Sequence, residues 1–176
     1  ARSGSKSIKD KNLKKIGGRS LIEHSIRSAK QINKVEKIIF SSDSKKYLKI
    51  ANKIGVDILH HRSIKASKDK SIDLDFFKDF IKNYSIKDLP DFFIHLRPTT
   101  PIRKKKYLND AVRLFLENHK KFTAMRSASK MSESSFKTFI IKDSKLCSIN
   151  NNFNLDFFNN PKNSFPNTYF PNGYID

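Results

Sequence analysis

Cysteine is nearly missing from this chain: Cys147 is the one thiol in 176 residues, with no Cys or His neighbour at a metal-ligand spacing. An internal disulfide is therefore excluded, and nothing points to an oxidising compartment. Long apolar runs are missing too. No stretch approaches the ~18–20 uninterrupted apolar residues of a membrane helix, and the first residues lack the apolar segment of a secretory signal, so a cytoplasmic location is expected. Acidic residues are scarce beside basic ones, 17 against 36, giving a formal net charge of +19. Such an imbalance suggests a nucleic-acid or anionic-surface partner. Here the lysines are spread through every predicted element among Asn, Ile and Phe, the mixture expected of an AT-rich coding sequence. The one local cluster, Arg103 to Lys106, opens a helix. Aromatic RNA-binding signatures and the zinc or helix-turn-helix patterns of DNA readers are not evident, so nucleic acid is not the expected partner.

What is present is an alternation. Leu21, Ile22, Ser25, Ile26, Ala29 and Ile32 recur at helical spacing, and Lys37 to Ser41 reads as a short buried strand. Tyr47, Ile50, Ala51 and Ile54 mark a second helix closed by Gly55, followed by a strand from Val56 to Leu59. A third helix carries Leu74, Phe77, Ile81 and Tyr84, and the strand Phe92 to Leu96 is nearly all apolar, as strands buried on both faces are. A fourth helix presents Leu108, Ala111, Val112 and Phe115 before a strand from Phe122 to Arg126. Strands and helices in alternation imply an α/β fold, a mainly parallel sheet covered by helices on both sides, with ligands beyond the strand carboxyl ends. At this length residues 1–176 fit a single domain. From Ser127 the alternation stops. Phe136 to Lys142 and Leu146 to Ile149 read as a hairpin around Asp143 to Lys145, and the Asn-, Phe- and Pro-rich stretch from Asn150 to Pro171 reads either as a disordered linker or, on its aromatic content, as an extended arm that packs on something, a second subunit being one choice. His60 and His61 are neighbours on a strand, point to opposite faces and do not form a chelating pair.

The opening residues, Ala1-Arg2-Ser3-Gly4-Ser5-Lys6, precede Lys11-Asn12 and a Gly17-Gly18 helix entry. They read either as a Ser/Gly tail or as a phosphate cradle, in which backbone N–H groups approach a triphosphate at Gly4 while Arg2 and Lys6 neutralise charge. The spacing is not that of a Walker A loop. Three further stretches follow in order: Ser41-Ser42-Asp43-Ser44, Leu96-Arg97-Pro98-Thr99-Thr100-Pro101-Ile102-Arg103, and Pro171-Asn172-Gly173. Together with the opening Ala-Arg-x-Gly-Ser-Lys they resemble the acylneuraminate (CMP-sialic acid) cytidylyltransferases, and the resemblance spans the whole chain.

That resemblance implies a three-layer α/β/α Rossmann-like nucleotidyltransferase fold with a small dimerisation arm, here residues 128–171. It implies transfer of CMP from CTP to a nine-carbon 2-keto sugar acid with release of pyrophosphate, a chemistry of positioning and charge neutralisation. Arg2 and Lys6 are then the catalytic cations. Gly4, Ser5, Asn12, Arg62, Asp69 and Ser71 would bind the nucleotide, although Asn12 also suits a turn and Ser71 a helix N-cap. Arg97, Thr99, Thr100, Lys137 and Asn172 would recognise the sugar; the alternatives are a stiff turn for the first three, a solvated strand lysine, and an Asn-Gly turn. Phe170 occupies the place where some relatives carry a carboxylate-binding Arg, which leaves the sugar open. Magnesium is the expected cofactor, its protein ligands unknown, and Asp43 could equally cap the second helix. A homodimer is the expected assembly. A CMP-KDO synthetase is the weaker match, because that family has Ser-Thr-Arg where this chain has Ser5-Lys6; a basic scaffold that keeps an inactive fold is the competing class. Family members also carry an apolar strand before Ala-Arg and a further strand and helix after Asn-Gly, so residues 1–176 alone are expected to be less stable and catalytically poor.

Overall fold

A turn at Gly17-Gly18 joins two short antiparallel strands, β1 (Lys15–Ile16) and β2 (Arg19–Ser20), in the computed structural model of the chain, which describes residues 1–4, 7–149 and 155–176. The chain divides into two compact units, Ala1–Met125 with Gly173–Asp176, and Arg126–Asn172.

In the first unit Ser20 caps helix α1 (Leu21–Ala29) by accepting from the Glu23 amide. Strand β3 (Ile39–Ser42), helix α2 (Lys45–Ile54) and strand β4 (Ile58–His61) follow. The hydroxyl of Ser44 caps the start of α2, and Gly55 ends it at φ 81°, a left-handed conformation that a side chain resists. β3 and β4 are parallel, with Ser41 opposite His60 and Ser42 opposite His61. This crossover is held by one apolar cluster, Ile22, Ile26, Phe40, Tyr47 and Ala51. Helices α3 (Asp73–Ile81) and α4 (Lys105–Asn118) complete the unit, and a second cluster joins Ile32, Leu108, Val112 and Ile175.

The sequence-based element bounds shift in places, and two expected strands do not form. β3 starts two residues later than expected and β4 runs on to His61, because pairing follows the register of the parallel ladder and not the apolar run. Residues 92–97 keep the side-chain alternation of a strand covered on both faces: Phe93 and His95 meet the Phe77 ring, while Ile94 and Leu96 pack on the second cluster. They nevertheless lie outside any ladder of consecutive pairs. Among the described residues only His95 exchanges backbone bonds with another segment, meeting Asp176 at 2.7 and 3.3 Å. Phe122 to Arg126 is likewise no strand, and the Phe122 side chain is exposed. Among the described residues the parallel ladder is the β3–β4 pair, and the other sheets are antiparallel pairs.

The second unit pairs β5 (Ala128–Lys130) with the last strand, β8 (Tyr169–Pro171), and β6 (Phe139–Lys142) with β7 (Lys145–Ser148). Asp143 and Ser144, both at positive φ, make the hairpin turn. Phe158 and Phe165 are buried, with ring contacts to Phe139 and Phe157, respectively. Short 3-10 turns, Leu155–Asn159 and Lys162–Ser164, carry the chain between these contacts.

Candidate functional site

The carboxyl ends of β3 and β4 gather the polar groups of the first unit, as a parallel pair does. The opening segment lies across them. The nitrogen of Ala1 donates to the Ser41 carbonyl at 2.6 Å, and both the amide and the hydroxyl of Ser3 donate to the Asp43 carboxylate at 2.9 and 2.8 Å. Burial works to raise the Asp43 carboxyl, but these Ser3 bonds outweigh it and hold it below its ordinary value. Asp43 thus anchors the opening segment, and the cap of α2 is Ser44 instead. Asn12 is buried and donates to the Arg2 carbonyl at 2.9 Å, so it shapes the segment from beneath. Arg2 pairs with Asp69 at 2.7 Å. Gly4 is exposed, and a Cβ there would meet no protein atom within 4 Å. Ser5 and Lys6 lie outside the described residues.

Arg62 follows β4 directly. Its guanidinium stacks on the Phe76 ring at 4.5 Å, and it donates from Nε to the Ser41 hydroxyl at 3.2 Å and from Nη2 to the Ser41 carbonyl at 3.4 Å. Among the described residues the rest of its donor fork has no partner and it forms no ion pair. Burial lowers its pKa, while Asp43, Asp73 and Asp79 act the other way. Ser41 in turn meets His60 Nδ1 at 2.9 Å, and His60 Nε2 lies 3.4 Å from Asp79 Oδ2. Ser71 sits nearby in sequence, but its hydroxyl donates to the Lys65 carbonyl and the N-cap position of α3 is Ile72, so it is no cap.

A second arginine corner lies at the loop after residues 92–97. The Thr100 amide donates to the Arg97 carbonyl, closing the Arg97-Pro98-Thr99-Thr100 turn, in which Thr99 is exposed. The Arg97 guanidinium is bound by two carboxylates, Asp73 and, at 3.2 Å, Asp176. Arg103 is buried and donates to the carbonyls of Tyr174 (2.6 Å), Arg97 (2.9 Å) and Gly173 (3.2 Å). Burial lowers its pKa to about 10, so it stays charged at neutral pH. Gly173 has φ 67°, and a Cβ there would stand 3.2 Å from Thr100 Oγ1. Beside this loop, burial pushes His95 down to about 4, which keeps it neutral at pH 7.

The remaining two candidates belong to the second unit. Lys137 sits in a 3-10 turn and not on a strand, donating to the Asn160 carbonyl at 3.0 Å above the Phe165 ring. Asn172 uses both ends of its side-chain amide, accepting from the Ser127 hydroxyl at 2.7 Å and donating to Ser129 Oγ at 2.8 Å. Sequence reasoning gave no role to Ser3, Ser41, His60, Phe76, Asp73, Asp176 or Arg103. Asp176 lies 79 positions from Arg97, beyond any local pattern. Arg103 closes the proline-rich stretch, a signal that was available.

The α/β arrangement of the chain is shared with a solved CMP:2-keto-3-deoxy-manno-octonic acid synthetase in complex with CTP. The two align over 75% of this chain and 51% of that one, with a TM-score of 0.56 at 18% identity. The model of the cytidylyltransferase family matches residues 1–153, and the chain belongs to that family. It is 32% identical to the N-acylneuraminate cytidylyltransferase of Escherichia coli O18:K1:H7 over 99% of this chain and 40% of the relative. It is 32% identical to the CMP-N,N'-diacetyllegionaminic acid synthase of Legionella pneumophila over 65% of this chain and 50% of the relative. A Campylobacter coli protein called post-translational flagellin modification protein B is 30% identical over 67% of this chain and 51% of its own length. The chain thus spans half or less of the length of two of these relatives and 51% of the third. No helix is long and apolar enough to cross a membrane among the described residues.

Proposed function

We propose that this chain acts as an N-acylneuraminate-type cytidylyltransferase. The anomeric hydroxyl oxygen of a nine-carbon 2-keto sugar acid attacks the α-phosphorus of CTP, the bond to the α,β-bridging oxygen breaks, and pyrophosphate leaves while the hydroxyl proton passes to water. The observation that carries this reading is Arg62: a half-buried guanidinium, stacked on Phe76, with unused donors at the carboxyl end of a parallel strand. That is the chemistry of a phosphate ligand. Arg2, paired at rest with Asp69, and Lys6 supply further positive charge, Gly4 and Ser5 the close backbone approach, and Asn12 the shape of the segment. Asp69 and Ser71 are proposed at the nucleoside end.

For the sugar, Thr99 and Thr100 offer hydroxyls and Arg97 braces their loop between two carboxylates; Lys137 and Asn172 are proposed as sugar contacts on the resemblance of their sequence positions alone. An N-acylated nonulosonic acid is favoured over an eight-carbon KDO-type acid by the relatives named above. The wider three-layer sheet is part of the proposal, supported by the two-faced packing of residues 92–97. So is a second copy of the chain as partner, supported by the exposed Ile141 and Leu146 of the hairpin. Magnesium is proposed to accompany the triphosphate. Among the described residues no group of three or more His, Cys, Asp or Glu could hold it, so no step above passes through it.

The test is pyrophosphate release by the full-length protein with CTP and magnesium, comparing N-acetylneuraminate with KDO. Release with the nine-carbon acid is expected. No release with N-acetylneuraminate or a legionaminic acid would overturn the reading.

A further inference from the structure

His60 occupies a buried position of β4, on the side opposite the exposed Leu59 and His61, where an apolar residue would pack without cost. Its two ring nitrogens face different partners. Nε2 lies 3.4 Å from Asp79 Oδ2 on α3, and Asp79 also accepts from the Ser63 amide at 2.8 Å. A carboxylate only accepts, so Nε2 carries the ring hydrogen. In the neutral ring Nδ1 is then an acceptor, and the hydroxyl 2.9 Å away on Ser41 must donate to it. With its hydrogen so directed, the Ser41 oxygen has its lone pairs available to Arg62 Nε at 3.2 Å. The four groups have one consistent direction of donation: Arg62 to Ser41, Ser41 to His60, His60 to Asp79.

We propose that His60 is a positioning residue for nucleotide binding: as the Nε2–H tautomer it orients the Ser41 hydroxyl, and through it fixes the guanidinium of Arg62 against the phosphates of CTP. The proposal rests on the reading of Arg62 as a phosphate ligand. Phe76 holds the face of that guanidinium, and the Ser41 contacts fix its rotation in the plane. A doubly protonated His60 reverses the arrangement. Both nitrogens then donate, the Ser41 oxygen must accept from His60 and Arg62 together, and its own hydrogen loses its acceptor.

The charged groups around the ring are Asp79 from α3, Arg62 beyond the end of β4 and the adjacent His61; Phe80 covers it edge-on at 5.4 Å. Burial lowers the His60 pKa and outweighs the Asp79 carboxylate. The neutral form is therefore in place above the usual histidine range, and the orientation is lost as pH falls through the folded value.

Nitrogen-15 NMR of the imidazoles in the full chain reads the tautomer directly, and calorimetry reads CTP affinity. The expected result is an Nε2–H ring for His60. At pH 7.5, His60→Val should bind CTP about three- to tenfold more weakly, the loss of one oriented hydrogen bond, while His60→Asn, which keeps an acceptor near the Nδ1 position, binds like wild type. As pH falls from 7.5 through the folded pKa of His60, located by the same NMR titration, wild type should weaken more than His60→Asn; titration of the CTP phosphates is common to both and cancels. An Nδ1–H ring overturns the proposal, as does a His60→Val protein with wild-type affinity. Should His60→Val not fold, the His60→Asn pH comparison decides, and identical pH profiles overturn it. An Nε2–H ring in a protein that binds no CTP at any pH of that titration overturns the functional reading and the phosphate role with it, and leaves only the hydrogen-bond chain standing.

Discussion

Arg62 and Arg103 are both withdrawn from water in the same unit, and their donors go to different ends. Arg103 donates to three backbone carbonyls and lies 3.5 Å from the Ser25 hydroxyl. It ties residues 97–103 to Gly173 and Tyr174, segments about 70 positions apart. Among the described residues the Arg62 guanidinium bonds only to Ser41 and stacks on the Phe76 ring, and part of its fork is unused. A guanidinium satisfied by carbonyls is a piece of scaffold. One held at its Nε edge and its ring face, with no carboxylate in an ion pair with it among the described residues, is prepared for an anion. Arg97 lies on the scaffold side of this division, since Asp73 and Asp176 already neutralise it.

The contrast can be broken most severely at Arg103. Replacing Arg103 with Met leaves the carbonyls of Arg97, Gly173 and Tyr174 without their donor, and removing such buried charged bonds costs about 3 kcal/mol or more. Urea melts of the full-length protein should show that loss. A change under about 1 kcal/mol would mean that Arg103 is no scaffold.

The same corner should make the protein acid-sensitive. His95 is neutral when folded, with a pKa of about 4, against roughly 6.5 for a free histidine. A lowered histidine pKa stabilises the fold fully above the unfolded value, and that contribution is lost as pH falls from roughly 6.5 towards 4. Asp43 and Asp79, held below their ordinary values, add a loss in the same direction at still lower pH. Denaturant melts at pH 7.5 and 5 should therefore differ in favour of pH 7.5. His95→Phe, which keeps the ring contacts with Phe76 and Phe77, should flatten that difference. An unchanged slope in the variant assigns the acid sensitivity elsewhere.

The smallest effect is expected at Arg2. Its pair with Asp69 is partly exposed on both sides, and such pairs contribute about 0–1 kcal/mol. Arg2→Ala should melt within about 1 kcal/mol of wild type, and a larger loss would move Arg2 to the scaffold.

Much of this was legible in the sequence. Periodicity located α1, α2, α3 and α4, and Gly55 ended α2 as its type demands. The register was not legible. An apolar run ending at Leu59 gave no sign that pairing continues to His61, so the Ser41–His60 pair, which depends on strands aligned residue by residue, stayed hidden. Residues 92–97 show the opposite failure: their pattern records burial on two faces, which they have, and says nothing of backbone pairing with another segment, which among the described residues only His95 finds. The saturation of Arg97 and Arg103 comes from Gly173, Tyr174 and Asp176, and no local spacing relates those residues to the loop they hold.

The central claim is that Arg62, and not the braced arginines, receives the phosphates of CTP. Calorimetric titration of CTP into full-length wild type and Arg62→Ala tests it most directly. The account predicts affinity weakened about tenfold or more, with a stability loss of only about 1–2 kcal/mol from the lost ring stacking; a variant that folds and binds CTP as tightly as wild type would contradict it.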